Sequence, residues 1–353
     1  MNEFQNILSE TIERLLSDHV TKEVVQAAEE GTWPSALWNA LEENGLTRLM
    51  VSEEKGGADG TWADALILLR AQGRHAAPVP LGETLLASWL LSSAGLNVPD
   101  GPLTLLNDVT LTGQSGAWKL SGTAAHVPWG RNAIFGVAVL DGPDGVTYVA
   151  RTPLTETQKN QELNTAREPR DTIQFDGVSV EAAPCQLPGD LPKDLHVWGA
   201  LMRSSLMAGG LEYLQSQTVQ YANERKQFGK PIGKFQAIQQ QLAVLATQAA
   251  AAGAIAAHAC EAASSGVDCS FEVAIAKTRI DEAVNISTSI AHQVHGAIGF
   301  TYEHNLHLVT RRLWSWRAEF GSGREWAAKL GREAITRVNE GEGDTLWRYV
   351  TSR

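Results

Sequence analysis

The sequence predicts a mainly α-helical protein with a β insertion: a helical N-domain (1–102), a small antiparallel β middle domain (103–186) and a C-terminal four-helix bundle (187–353). Three observations carry this. Apolar residues recur at helical spacing near both ends of the chain. Between about Leu103 and Val180 the pattern changes to short β-rich runs separated by Gly- and Asp-containing turns. The later helical stretches are long and rich in Ala, which suits close antiparallel packing.

Taken in order, Ile7, Leu8, Ile12, Leu15, Leu16 and Val20 make the first apolar stripe, with polar residues between them. A second helix runs from Pro34 to Asn44 and stops at Gly45, a residue suited to a left-handed cap. Gly56-Gly57-Ala58-Asp59-Gly60 is a turn, and Thr61 caps a helix over Trp62–Gln72. Pro78-Val79-Pro80 breaks the chain before an apolar helix, Glu83–Ala94. Strand-forming runs begin at Leu103, Val109, Trp118, Ile134, Val146 and Thr172, and the Pro- and Gly-rich segment Pro184–Pro192 leads out of them. Beyond it, Phe235, Ile238, Leu242, Leu245 and Ala249 form one helical stripe, and Ala283, Ile286, Ile290 and Val294 another.

Composition sets bounds on function. At 353 residues, with 43% hydrophobic and 20% charged residues, the chain is an ordinary globular protein with room for two or three domains. A net charge of −11 speaks against a nucleic-acid partner, though not against a nucleotide-containing ligand held by a few local cations. No secretory signal is evident, and the most apolar stretch, Leu242–Ala263, is interrupted by Gln248, His258 and Glu261, so a cytoplasmic protein without a membrane span is expected. Cys185, Cys260 and Cys269 have neither the number nor the spacing of a disulfide framework or thiolate metal site. The histidine pairs His292/His295 and His304/His307 lack a neighbouring third ligand, and no metal is expected.

Two segments stand apart. Arg225-Lys226-Gln227-Phe228-Gly229-Lys230-Pro231-Ile232-Gly233-Lys234-Phe235-Gln236 gathers a cation, amides, aromatics and a tight turn between two helical stretches. About sixty residues later comes Gln293-Val294-His295-Gly296-Ala297-Ile298-Gly299-Phe300. Together they resemble the flavin-binding signatures of the acyl-CoA dehydrogenase family. The N-terminal part is similar around Gly56–Gly60 and Gly73–Leu81.

This resemblance implies a fold with the same three parts, and FAD held across a subunit interface. It places Arg225 at the pyrophosphate, where a planar guanidinium can bond two oxygens, and Gln227, Phe235 and Gln236 along the cofactor. It places Gln293, Val294, His295, Gly296 and Ala297 at the adenosine and pyrophosphate of the partner's FAD. The implied substrate is an acyl-CoA, oxidised to the α,β-unsaturated thioester, with an electron-transfer flavoprotein as acceptor. The implied assembly is a homo-oligomer or a heteromer with a related subunit.

The same resemblance exposes a departure. The reaction needs a carboxylate base over the substrate α-carbon. Alignment on Gly299-Phe300 and Arg311 places Phe320 at one usual position of that Glu, and counting back from Arg225 places Gly199 at the other. Glu319 is the candidate base if the loop shifts by one residue, and Glu212 and Glu303 are poorly spaced alternatives. Phe320 would offer its backbone N–H to the thioester carbonyl, and Arg203 is a second candidate for substrate contact. The remaining readings are a subunit dependent on a catalytic partner, an oxygen-using flavoenzyme of the same superfamily, and an acyl-CoA-binding scaffold without flavin.

Overall fold

A computed structural model describes residues 2–155 and 157–339. Five helices come first: α1 (Glu3–His19), α2 (Lys22–Glu29), α3 (Ser35–Glu43), α4 (Trp62–His75) and α5 (Leu81–Ser93). On α1 the apolar stripe turns Leu8, Ile12, Leu15 and Leu16 inward, while Ile7 stays outside. Thr61 caps α4 in a reciprocal capping box with Asp64, and Gly45 ends α3 with φ 69°. Helix α2 was not evident from the sequence. It is only eight residues long, too short to show a stripe, and owes its start to the Thr21 cap.

Two four-stranded sheets follow. Their strands are β1 (Leu103–Leu105), β2 (Val109–Thr112), β3 (Lys119–Pro128), β4 (Phe135–Asp141), β5 (Thr147–Pro153), β6 (Lys159–Asn160), β7 (Arg170–Ser179) and β8 (Glu181–Pro184). One sheet has the order β1-β4-β5-β8 and the other β2-β3-β7-β6. All pairings are antiparallel except β1 with β4, a departure from the expected pattern. The chain leaves β1 for the other sheet through β2 and β3, and this long excursion lets β4 return beside β1 in the same direction.

The bundle comprises α6 (Leu195–Glu224), α7 (Gln236–Ser264), α8 (Ser270–His295) and α10 (Gly323–Asn339). A hairpin of β9 (Lys226–Gln227) and β10 (Lys230–Pro231) joins α6 to α7, and α9 (Leu306–Trp316) crosses between α8 and α10. Of the α7 stripe only Leu245 and Ala249 are buried, and Val244 is exposed. Helix α7 is long and apolar enough to cross a membrane by length and composition, yet it packs here against α6 and α8.

One core runs from the N-terminal helices into the bundle. At its centre Trp62, Trp89 and Trp198 meet, with Trp198 stacked on Trp62 at 5.2 Å and edge-on to Trp89 at 4.7 Å. Three large rings on α4, α5 and α6 thus lock the two helical parts together, and losing one of them would cost about 3–5 kcal/mol.

Candidate active site and cofactor elements

A cleft of about 990 Å³ separates the sheets from the bundle. Asn107, Asp108, the end of β3 and the segment 162–165 form one wall. His196 at the start of α6, Trp314 and Ser315 on α9, and residues 318–320 form the other. Three of its lining residues have left-handed backbones without being glycine: Asp108 (φ 58°), His126 (φ 54°) and Phe320 (φ 52°). Such strain persists only where the surroundings over-determine it, and it concentrates at functional sites.

The two positions that lack a carboxylate lie against each other. Phe320 is only 9% exposed, and its ring rests where a Cβ on Gly199 would have to be. Gly199 therefore makes room for the ring. Gly321 follows with φ 83°, and the indole N–H of Trp326 donates to the Phe320 carbonyl at 2.9 Å, which fixes the turn. The space over Gly199 is apolar and filled.

Glu319 lines the same cleft with a side chain 19% exposed, but its carboxylate is already engaged. Arg170 of β7 donates to it through Nε at 2.8 Å and Nη2 at 3.2 Å, and Arg203 of α6 through Nε at 2.7 Å. Burial works to raise its pKa, but the two guanidiniums overcome that and hold the carboxyl down at about 2. A group so stabilised as an anion is a weak proton acceptor.

Arg203 is 1% exposed, and its Nη2 donates to Glu83 of α5 at 2.6 Å, so its guanidinium bridges two carboxylates inside the fold. From there a chain of alternating charges continues. Arg170 pairs with Glu168 at 3.0 Å, and Glu168 faces Arg312 Nε at 3.3 Å, near enough for ion pairing but not aligned as a hydrogen bond. Arg312 and Arg311 both reach Glu29 of α2. All three parts of the fold are tied through this network.

Neither alternative carboxylate lines the cleft. Glu212 pairs with Arg70 on α4, and Glu303 is exposed in the turn before α9. The imidazole of His196 does line it, stacked on Trp326 at 5.5 Å, and burial lowers its pKa.

The two flavin-like segments meet at a separate corner. Tyr221, one helical turn before Arg225, stacks on His295 at 4.4 Å and donates to the His295 carbonyl at 3.3 Å. Arg225, Gln227, Gln236 and Gln293 are exposed, and the Arg225 side chain has no partner among the described residues. Phe228 (φ 50°) and Gly229 (φ 79°) make the hairpin tip, and the Phe228 ring is 92% exposed. Phe235 is half-buried beneath Lys230, whose ammonium lies 4.4 Å from its ring centre. Gly296 turns the chain at the end of α8 (φ 65°) with open space where a Cβ would point, and Ala297 is exposed beside it. Val294 and His295 face inward, so their side chains hold the corner together. Burial pushes the His295 pKa down to about 4.

Each of the four histidines in the two pairs has one ring nitrogen bonded within the chain, His295 to the Ala291 carbonyl and His307 to the His304 carbonyl among them. His292 bonds Thr310 at 3.1 Å, and among the described residues no group of three or more His, Cys, Asp or Glu converges. The cleft wall from the sheets and the ion-pair chain were not anticipated from the sequence. Glu83 and Arg203 did carry a signal, each being a lone charge inside a largely apolar helical run.

Comparison with known proteins agrees with this architecture. Residues 2–96 match the family model for the N-terminal domain of acyl-CoA dehydrogenases, and residues 197–323 match that for the C-terminal domain. The acyl-CoA dehydrogenase IpdE2 of Mycolicibacterium smegmatis is 30% identical over 338 residues, covering 95% of this chain and 100% of that protein. IpdE2 of Mycobacterium tuberculosis is 30% identical over 348 residues, covering 94% and 97%. Among solved structures, a variant of the steroid ACAD Tcur3481-Tcur3483 superposes with a TM-score of 0.85 at 24% identity, covering 96% of this chain and 99% of that one. The ChsE4-ChsE5 complex of Mycobacterium tuberculosis gives 0.85 at 21%, covering 95% and 98%. The chain belongs to the acyl-CoA dehydrogenase family.

Proposed function

We propose that this chain is a subunit of a flavin-dependent acyl-CoA dehydrogenase that completes a cofactor site for a related partner and does not itself supply the base. The observation that carries this reading is the Phe320 ring seated over Gly199, with Glu319 held between Arg170 and Arg203. At neither of the two usual base positions does this chain carry a carboxylate. Two of the structural neighbours are named as pairs of chains, ChsE4-ChsE5 and Tcur3481-Tcur3483, which suits the same arrangement here.

The exposed corner fits FAD. Arg225 is a free cation, Gly296 leaves room for close approach of a phosphate to backbone N–H groups, and Gln227, Gln236 and Gln293 offer amides. When bound, FAD would accept the hydride from the thioester β-carbon. This chain's residues would hold the pyrophosphate and amide edges and present Phe228 and Phe235 as apolar walls. The open face of α7 would be covered by another subunit, and electrons would leave to an electron-transfer flavoprotein.

An anaerobic visible spectrum of the purified chain, before and after a panel of acyl-CoAs, tests this. The expected result is a flavin-poor protein, or a flavin band that no thioester bleaches. Bleaching by one thioester with this chain alone would sink the proposal and return attention to Glu319.

A further inference from the structure

A pocket of about 270 Å³ lies where the N-terminal helices meet the bundle, and it shares no lining residue with the cleft or with the two flavin-like segments. Four elements close around it. They are the start of α2 (Lys22), the end of α4 (Arg74), the face of α6 that carries Tyr213 and Gln217, and the start of α9 (Asn305). Val20, Leu308 and Val309 add an apolar floor, which strengthens any charge interaction made above it.

The charge of this pocket runs against that of the chain. The sequence carries 40 Asp and Glu against 29 Lys and Arg, yet among the described residues the lining holds Lys22, Arg74 and His75 and no carboxylate. Glu13 is the nearby anion. It meets His75 Nε2 at 2.9 Å but stands 3.7 Å from Arg74 Nη1, an ion pair without a hydrogen bond. The Arg74 fork therefore keeps its donors, and Lys22, which gives one N–H to the Glu303 carbonyl at 3.1 Å, keeps two.

The neutral groups donate as well. The Tyr213 hydroxyl has no partner among the described residues, and burial pushes its pKa up to about 12, so it stays protonated. The Asn305 side chain makes no capping bond to α9, and the Gln217 amide is also without a partner among the described residues. Because α2 and α9 both begin here, the positive ends of two helix dipoles add to the cations. The opposing end of α4 is muted, since Ala77 and Ala76 donate to the Gln72 and Gly73 carbonyls.

We infer that this pocket binds a tetrahedral oxyanion, inorganic phosphate or the phosphate of a small monoester, held by Arg74 and Lys22 and bonded by Tyr213, Gln217 and Asn305. Donors arriving from four elements suit a tetrahedron, whereas a planar carboxylate takes its bonds within one plane. The volume falls below the roughly 300–1,000 Å³ of drug-sized sites, which keeps the ligand small. The site stands apart from the cofactor reading, because Arg225 takes no part in it. An anion seated here joins the N-terminal helices to the bundle, so its binding should stabilise the fold by linkage.

The test is calorimetric titration of the full chain with inorganic phosphate and, separately, with succinate, with melting temperatures read alongside. Phosphate should bind the parent and raise its melting temperature. Arg74→Gln should weaken phosphate by roughly tenfold or more, the loss expected for bonds to a charged group. Tyr213→Phe should weaken it by a smaller factor, and Arg225→Gln should bind it as the parent does. Unchanged affinity in Arg74→Gln overturns the site, and loss confined to Arg225→Gln assigns the anion to the other corner. Succinate binding as tightly as phosphate overturns the tetrahedral assignment, and a parent that binds no phosphate ends the proposal. Because the Arg74 side chain is 48% exposed, its replacement leaves the core intact, and far-ultraviolet circular dichroism of the variants checks this.

Discussion

The cleft and the flavin-like corner use the same kinds of residue in opposite ways. In the cleft, Arg170, Arg203 and Glu319 are satisfied by one another, and Phe320 fills the space over Gly199. At the corner, Arg225 and three amides have no side-chain partner among the described residues, and Phe228 lies open to solvent. Charges that are paired and buried serve the fold, whereas charges left free at a structured turn are available to a ligand. By that measure the corner is the part of the chain left open to a ligand, and the cleft is the part that the fold has filled and paired.

The sharpest way to break this contrast is to unpair the cleft. Arg203→Met leaves Glu83 and Glu319 without a shared cation, and removal of one partner from a buried pair costs about 3–5 kcal/mol. Urea unfolding should show that loss. The acid limb of the stability curve should change as well. Glu319, with a folded pKa of about 2 against an ordinary 4.5, contributes stability that is complete above 4.5 and lost as pH falls toward 2. A variant as stable as the parent would mean that the network does not organise the cleft.

The corner has one closed element of its own. His295 is buried and neutral, its pKa moved from 6.5 to about 4. A lowered histidine pKa means that the unfolded chain binds the proton more readily. Stability is therefore full above 6.5 and declines as pH falls toward 4, by roughly 2 kcal/mol between 6.5 and 5. His292, His304 and His307 are shifted in the same direction and add to the trend. Unfolding midpoints measured from pH 7.5 to 5 should fall less steeply with acid in His295→Phe than in the parent. Parallel curves would show that His295 takes no part.

Gly199→Ala tests the contact that closes the cleft. The new methyl would collide with the Phe320 ring and should cost about 1–3 kcal/mol, an overpacking penalty. In a Phe320→Ala background the same change should be nearly neutral, and the difference between the two backgrounds measures the contact. Equal penalties in both would mean that the ring does not occupy the place of the missing carboxylate.

How much of this was legible follows from distance along the chain. The two elements of the corner, Arg225–Gln236 and Gln293–Phe300, could be singled out because each is one unbroken run with a recognisable order of residues. Counting from those anchors led to Gly199 and Phe320, neither of which is a carboxylate. Their mutual contact was not legible, since more than a hundred residues separate them. The sequence also could not decide whether Glu319 was free. Its partners Arg170 and Arg203 arrive on a strand and a helix from different parts of the fold, and only packing brings both guanidiniums to one carboxylate. Likewise Asn107, Asp108 and the end of β3 reach the cleft through strand register, which no local pattern in the sequence announces.

The smallest expected effect on stability is also the one that separates the two regions most cleanly. Arg225 is exposed and unpaired, so Arg225→Gln should leave the unfolding midpoint within about 0.5 kcal/mol of the parent. Flavin retention in the assembled protein should nevertheless fall, because a neutral amide cannot give the bidentate, charge-assisted bonds that a pyrophosphate takes from arginine. Arg225→Lys should recover only part of it, through charge without the fork. The bound flavin-to-protein ratio after gel filtration, set beside the melting temperature, reads both quantities in one sample. A variant that keeps its flavin would show that the unpaired guanidinium serves some other partner. One that loses stability in proportion to its flavin would show that the corner, like the cleft, belongs to the fold.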